Sequence, residues 1–225
     1  MEEEYIKIFG PMHFIYIGIL ILFTYLLFRK RQVICKNRKK IDLYLIGIIL
    51  FQQIIMYKTY FNKDGFDFSD GLPLHACRVS SILLFIFLIN KNEKIAHLQA
   101  YFASFALLSF IYPSRIDTIT HPMGLSFIIN HIYNLLGGSY TYFAYHLDHS
   151  VKIYKKQAYI LFLAYISVVL IINPILNGNY FYLKDRPFGE MFPESLYIPI
   201  TIIFVYILFS LTEKYYKFLK EKYPI

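Results

Sequence analysis

The chain contains no tryptophan, only two cysteines and few charged residues, which make up 17% of 225. Two cysteines cannot staple a small secreted scaffold, and so few charges cannot coat a soluble globule of this size. Nine prolines and ten glycines, with no repeating period, exclude collagen-like and disordered classes. What is abundant is apolar: 57% of residues are hydrophobic, with 22 Tyr and 22 Phe, against roughly 45 to 50% in soluble chains. The formal charge of +8 would suit a nucleic-acid partner only if it formed one basic face. Instead the basic residues are parcelled out between apolar runs, so the chain reads as a polytopic membrane protein without a nucleic-acid partner.

Windows near the roughly 20 residues needed to cross a hydrocarbon core give seven spans within a single domain covering 1–225. They run about 10–28, 43–61, 72–89, 95–112, 122–145, 157–173 and 196–211. No ten-residue polar and apolar alternation points to a barrel, so the expected fold is all-α, a seven-helix membrane bundle. The second span is the most polar, interrupted by Gln52, Gln53 and Lys58, as suits a helix that faces its neighbours. Lys and Arg concentrate in alternate connections: the loop Arg29 to Lys40 carries seven, Lys91 and Lys94 follow, then Lys152, Lys155 and Lys156, and four lysines in the tail. The other side has six, including Lys7, Lys58 and Lys63. The positive-inside rule therefore expects the N-terminus outside and the C-terminus cytoplasmic, in a multi-pass protein of the cell membrane. The acidic start (Glu2, Glu3, Glu4) argues against reading the first span as a cleavable signal.

Ionisable groups within spans mark working sites, because they must face protein or water. That rule selects Gly71 to Ser81, where His75, Cys77 and Arg78 precede Ser80 and Ser81. Placing Pro73 in the first helical turn puts Cys77, Ser81, Leu74 and Arg78 on one polar arc, with His75 at 160° from Cys77. His75 and Cys77 then diverge too far to share a metal, and no metal or cofactor is expected. Cys35 falls in the basic loop and Cys77 near the opposite face, too far apart for a disulfide. In the fifth span Asn130, His131 and Asn134 continue at helical spacing into Gly137, Gly138 and Thr141, a stripe that permits close packing and cross-helix hydrogen bonds. Cys77 lies about 7.5 Å and His131 about 13.5 Å below their spans' outer ends, so the two are expected at overlapping depth. A thiol and an imidazole brought together there can act as nucleophile and base; the plain alternative is a small buried residue beside a polar seam.

The last outer loop, Asn177 to Pro187, has three consecutive aromatics, Tyr180, Phe181 and Tyr182, and is expected to dip into the bundle mouth. Lys184, Arg186 and Arg115 lie on the same face and can meet an anionic headgroup. His97, His146 and His149 fall at the cytoplasmic ends and read as interfacial, while Arg115, Asp117 and His121 also suit an ordinary solvated turn. No lysine occurs between Leu196 and Glu213, which removes a retinal protein.

Leu72-Pro73-Leu74-His75-Ala76-Cys77-Arg78, Phe127 to His131, and Asn179-Tyr180-Phe181-Tyr182-Leu183 with Pro187 resemble the motifs of the bacterial YwaF-like integral membrane proteins. That family is related to a mammalian Cys/His phospholipid acyltransferase and more distantly to membrane threonine hydrolases of fatty acid esters. The resemblance implies a membrane lipid or acyl substrate, Cys77 as nucleophile and His131 as base, with His75, Asn179 and Tyr180 in support. Arg78, Asn130 and Asn134 are candidates to stabilise an oxyanion. Ala76 departs from the bulkier residue of the pattern. The competing reading is a lipid-binding or transport protein that uses the same polar cavity without covalent chemistry.

Overall fold

Gly10 and Pro11 set the first helix, because proline at the first helical position has a suitable fixed φ and lacks an N–H that would go unpaired there. In this computed structural model, which describes residues 5–62, 65–186 and 192–224, α1 spans Pro11–Arg29, α2 Arg31–Lys36 and α3 Arg38–Tyr60. A two-residue antiparallel pair follows, β1 (Phe61–Asn62) and β2 (Gly65–Phe66). Then come α4 (Ala76–Asn90), α5 (Glu93–Phe102), α6 (Ser104–Ile111), α7 (Pro122–Tyr145), α8 (Lys152–Leu176) and α9 (Glu194–Lys222). The acidic start, Lys63 and Pro187 lie outside the described residues.

Caps explain the joints. Lys91 adopts the left-handed conformation that ends α4, and the Asn92 side chain then accepts from Lys94 N to start α5. Pro122 opens α7, with His121 accepting from Met123 N, and His146, left-handed at φ 58°, closes it.

The bundle is helical as expected, and five stretches are long and apolar enough to cross a membrane: α1, α3, α5 with α6, α8 and α9. Two rods depart from that pattern for different reasons. The chain from Leu72 to His75 is not helical, which leaves α4 with 15 residues. In α7, 24 residues long, the departure is polarity: its Asn, His, Ser and Thr side chains face protein, since α7 packs against α1, α2, α3, α4, α5 and α6. Lipid does not dictate its composition because little of it meets lipid.

The basic connections gather at one end of the bundle. Lys91 pairs with Asp42 at 2.6 Å, Arg31 lies over the Tyr223 ring, Lys220 pairs with Asp148 at 2.6 Å and Lys155 with the buried Glu213 at 2.7 Å. His97 and His149 also lie there, but they are fully buried and not interfacial: their Nδ1 atoms are 2.8 Å apart, Tyr154 stacks on His97, and Thr141 holds the other nitrogen of His149. His146 is exposed, as expected. Both cysteines are free.

Small residues let α7 approach its neighbours closely at this end. A Cβ on Gly138 would fall 1.9 Å from Tyr216 Oη and within 3.1 Å of the Ala100 backbone. Tyr216 can swing aside, but the α5 backbone cannot. Gly138→Ala should therefore cost about 1–3 kcal/mol by overpacking, read as a melting temperature several degrees lower in detergent; an unchanged melting temperature would remove this contact from the packing account.

Candidate functional site

The segment before α4 is held by side chains from four elements, because its backbone groups have no helix to satisfy them. Arg78 Nη1 donates to the carbonyls of Asp70 and Leu72, the latter at 2.8 Å, and its Nη2 donates to Tyr60 Oη at 2.5 Å. Tyr180 Oη accepts from Leu72 N at 3.0 Å and donates to Phe68 O at 2.7 Å, while Tyr165 Oη donates to Leu74 O at 2.6 Å. Pro73 thus sits in a turn ahead of the helix, and His75, in extended conformation, is the cap before Ala76. This corrects the helical arc read from spacing: His75 is not on the α4 surface at all. Cys77 becomes the second residue of α4, ahead of Arg78 and Val79, whose N–H groups donate to the His75 carbonyl, and at a helix start negative charge is best accommodated.

Asp70 is a site residue that motif spacing missed. One carboxylate oxygen is 2.5 Å from His75 Nε2, the other accepts from Tyr60 Oη, and Arg78 stands 3.6 Å away. Burial pushes the Asp70 carboxyl up, but the hydrogen bond and charge of His75, then Arg78 and Tyr60, outweigh it and hold the group well below the usual carboxylate range. The His75 ring in turn lies edge-on to Tyr180 at 5.2 Å and near Tyr182 at 5.8 Å.

His131 comes from the opposite wall. Its Nδ1 is 2.8 Å from Phe127 O, and a carbonyl can only accept, so Nδ1 carries the proton and Nε2 the lone pair. Stacking on Phe127 at 3.9 Å and an edge contact with Phe110 fix the ring plane. Asn130 and Asn134 lie in a buried network. Asn130 Nδ2 donates to Tyr133 Oη at 2.8 Å, Tyr133 donates to Gln52 Oε1 at 2.9 Å, and Gln52 donates to Ser126 at 2.8 Å. Asn134 donates to Asn130 Oδ1 at 3.0 Å and to the Cys77 carbonyl at 2.9 Å, which ties α7 directly to the first turn of α4. Gln52, which made the second span look weak, is fully buried here.

The aromatic loop supplies the third wall. Asn173 grips Tyr180 twice, donating to its carbonyl and accepting from its N–H, each at 2.9 Å. Asn179 accepts from Lys184 N and Asp185 N. Phe181 and Tyr182 both adopt left-handed φ, 58° and 53°, an unusual pair for aromatics. Phe181 packs among Phe105, Phe162 and Tyr165.

These walls enclose a cavity of about 640 Å³, within the range of ligand pockets. Cys77, His131, His75, Arg78 and Asn130 all line it, as do the unforeseen Asp70, Tyr60 and Gln52, and Ser109 stands beside the thiol. Its other side is apolar, formed by Leu108 and Ile111 of α6 and Ile200, Phe204 and Val205 of α9, with Phe181. Three N–H groups of Arg78 and the amide nitrogen of Asn134 are already committed to protein acceptors, while Asn134 Oδ1 is buried without a partner. Of the three headgroup candidates, Arg115 lines the cavity rim and lies 3.5 Å from Asp185. Lys184 turns to Asn177, and Arg186 to the Leu183 carbonyl and the Tyr197 ring. Asp117 and His121 pair at 3.4 Å, with His121 exposed but Asp117 half-buried in the cavity lining, so this is not a fully solvated turn. Among the described residues no three His, Cys, Asp or Glu side chains come together as a metal site.

An all-helical bundle with several membrane-length apolar rods and a mainly apolar cavity carrying a polar cluster defines a multi-pass integral membrane protein. The model of the TMEM164 family, a family of membrane proteins, matches residues 8–214, and the chain belongs to that family. No curated protein and no solved structure matches it.

The depressed Asp70 group makes a signed prediction. Its ionised form is favoured by folding, so that stabilisation is fully present above the unfolded carboxyl value of about 4 and fades as pH falls below it. Asp70→Asn should lower the melting temperature by the same amount at pH 7 and pH 5, and the gap to the parent should narrow below pH 4. A gap that widens on acidification contradicts the assignment.

Proposed function

We propose that the chain is a membrane acyltransferase or lipid ester hydrolase that works through Cys77 and His131. We further propose that it crosses the membrane seven times, with its N-terminus outside and the cavity in the outer half. The observation that carries the reading is that one cavity is lined both by a thiol at the start of a helix and by an imidazole whose free nitrogen bears a lone pair. In this scheme His131 Nε2 takes the thiol proton, and Cys77 Sγ attacks the carbonyl of an acyl ester. The C–S bond forms as the ester C–O bond breaks, and the alcohol leaves with the proton from His131. A second alcohol, or water, reverses the sequence to release the acyl group.

The backbone N–H groups of Ala76 and Cys77 at the start of α4 join the Arg78 side chain as candidates to stabilise the oxyanion, since the Arg78 backbone N–H already donates to the His75 carbonyl and the Asn134 amide N–H groups donate to protein acceptors. The apolar side of the cavity, Ile111, Ile200 and Phe204, is also exposed, continuous with the surface α6 and α9 turn outward, and suits an acyl chain arriving from the bilayer. Arg115 at the rim suits an anionic headgroup. The likeness of the Leu72 to Arg78 and Asn179 to Leu183 strings to YwaF-like proteins supports the same chemistry.

Labelling of the membrane-inserted protein with an activity-directed lipid probe tests this. Cys77→Ala should abolish it and His131→Gln should slow it about 10²–10⁴-fold, while both variants still insert. Labelling of Cys77→Ala at parental strength would leave a lipid-binding or transport protein as the better reading.

A further inference from the structure

The second thiol also has an imidazole partner. Cys35 Sγ on α2 lies 3.5 Å from Nε2 of His146, the residue that closes α7. The two are 111 positions apart in sequence, and the left-handed backbone of His146 turns the chain at that point. His146 is 15 residues beyond His131, about 22 Å further along the helix line, so the cap of α7 meets Cys35 far from the cavity that His131 and Cys77 line.

The surroundings of Cys35 differ from those of Cys77. It lines an open groove of about 570 Å³ with Lys36, Asn37, Arg38, Lys39 and Lys40. Within a turn or two of the groove, Val33, Leu43 and Tyr44 are exposed on α2 and α3, as they would be at a lipid interface. A thiol with a base, several cations and an adjoining greasy surface match an amphiphilic electrophile with a polyanionic head and an apolar tail.

We propose that Cys35 is an S-acylation site, acylated from a long-chain acyl-coenzyme A with His146 as the base. The Cys35 thiol passes its proton to His146 Nε2, and the sulfur attacks the thioester carbonyl. A new C–S bond forms as the bond to the donor sulfur breaks, and the departing thiolate takes the proton from His146. The coenzyme's several phosphates meet Lys36, Arg38, Lys39 and Lys40, while the acyl chain lies along Leu43 and Tyr44, which share a helix face with Lys39 and Lys40. A thioester suits this open site because its thiolate leaving group departs without the enclosed donors that an oxygen ester requires. The step is independent of the chemistry proposed at Cys77 and needs only the donor on the basic side.

Full-length protein in phosphatidylcholine vesicles, incubated with alkynyl palmitoyl-coenzyme A and mapped by peptide mass spectrometry, tests it. The expected label is on Cys35, is released by neutral hydroxylamine, and is absent in Cys35→Ser. In His146→Gln it should form about 10²-fold more slowly or worse. Lys39→Glu with Lys40→Glu should raise the donor concentration for half-maximal labelling several-fold. Protection of the unmodified protein's Cys35 from a water-soluble haloacetamide by prior palmitoyl-coenzyme A gives the same answer without any variant. Label persisting undiminished in Cys35→Ser, a parental rate in His146→Gln, or labelling from alkynyl phosphatidylcholine but not from the coenzyme A ester would each overturn the proposal.

Discussion

Arg78 is the constraint from which the candidate site follows. Its guanidinium is almost fully buried at the first turn of α4, an environment that would reject a lone charge by several kcal/mol. It is tolerated because every group around it is an acceptor or a π face: two backbone carbonyls, the Tyr60 hydroxyl, the Asp70 carboxylate and the Tyr60 ring at 4.9 Å. The Asp70 and Leu72 carbonyls lie outside any helix, the latter also accepting from Leu74 N at 2.8 Å, and they give a largely buried cation charge-assisted acceptors. This arrangement also breaks the helix. With Leu72 to His75 pulled out of helical geometry, α4 begins late, and Cys77 moves from the second turn expected of a helix starting at Leu72 to the first, where it lines the cavity.

The same logic governs α7. A span carrying Asn130, His131, Asn134 and Thr141 is a poor lipid-facing helix, but six neighbouring elements shield it, and most of its polar groups find protein partners, Asn134 Oδ1 excepted. Gln52 and Tyr133 join α3 to α7, and Asn134 reaches the Cys77 carbonyl. Hydrogen bonds of this kind between membrane helices contribute only about 0.6–2 kcal/mol each. Their greater effect is to fix rotation: α7 cannot turn about its axis without orphaning several amides, so His131 is held toward the cavity.

The apolar runs made the helical class and the approximate rods legible, because long hydrophobic stretches have few alternatives in lipid. His75, Cys77, Arg78, Asn130 and His131 were legible as candidates because polar groups inside such stretches stand out, and all five line the cavity. Asp70 was not, since a carboxylate in a connecting loop is unremarkable until the fold brings it to His75. Gln52 marks a helix that faces its neighbours, as its burial shows, but nothing in the sequence places it in the cavity lining. The burial of His97 and His149 escaped for the opposite reason: their sequence positions near helix ends suggest an interface, and only the packing of Tyr154, Tyr101 and Thr141 around them removes it. Helical spacing also misplaced His75, because a proline in the first turn and a proline ahead of the helix look alike in sequence.

The cavity itself follows from unequal packing along α7. Toward the basic end, Gly137 and Gly138 admit Gln99, Ala100 and Tyr216, and Ser139 reaches Tyr215 of α9 at 2.7 Å, so the rods close on one another. Two to three turns back from that contact, His131 and Asn130 on one side and Phe204 and Val205 on the other line a common space. The wedge that keeps them apart is the loop at Tyr180–Tyr182. Asn173 clamps it from below, Tyr180 is hydrogen-bonded to the segment before α4, and Phe181 is driven into the aromatic cluster of α6 and α8. Two successive aromatics in left-handed conformation are strained, and strain persists only where the surroundings over-determine it. Here the surroundings are the anchors on either side, so the energy spent on Phe181 and Tyr182 keeps space open in front of Cys77 and His131 that close helix packing would otherwise fill.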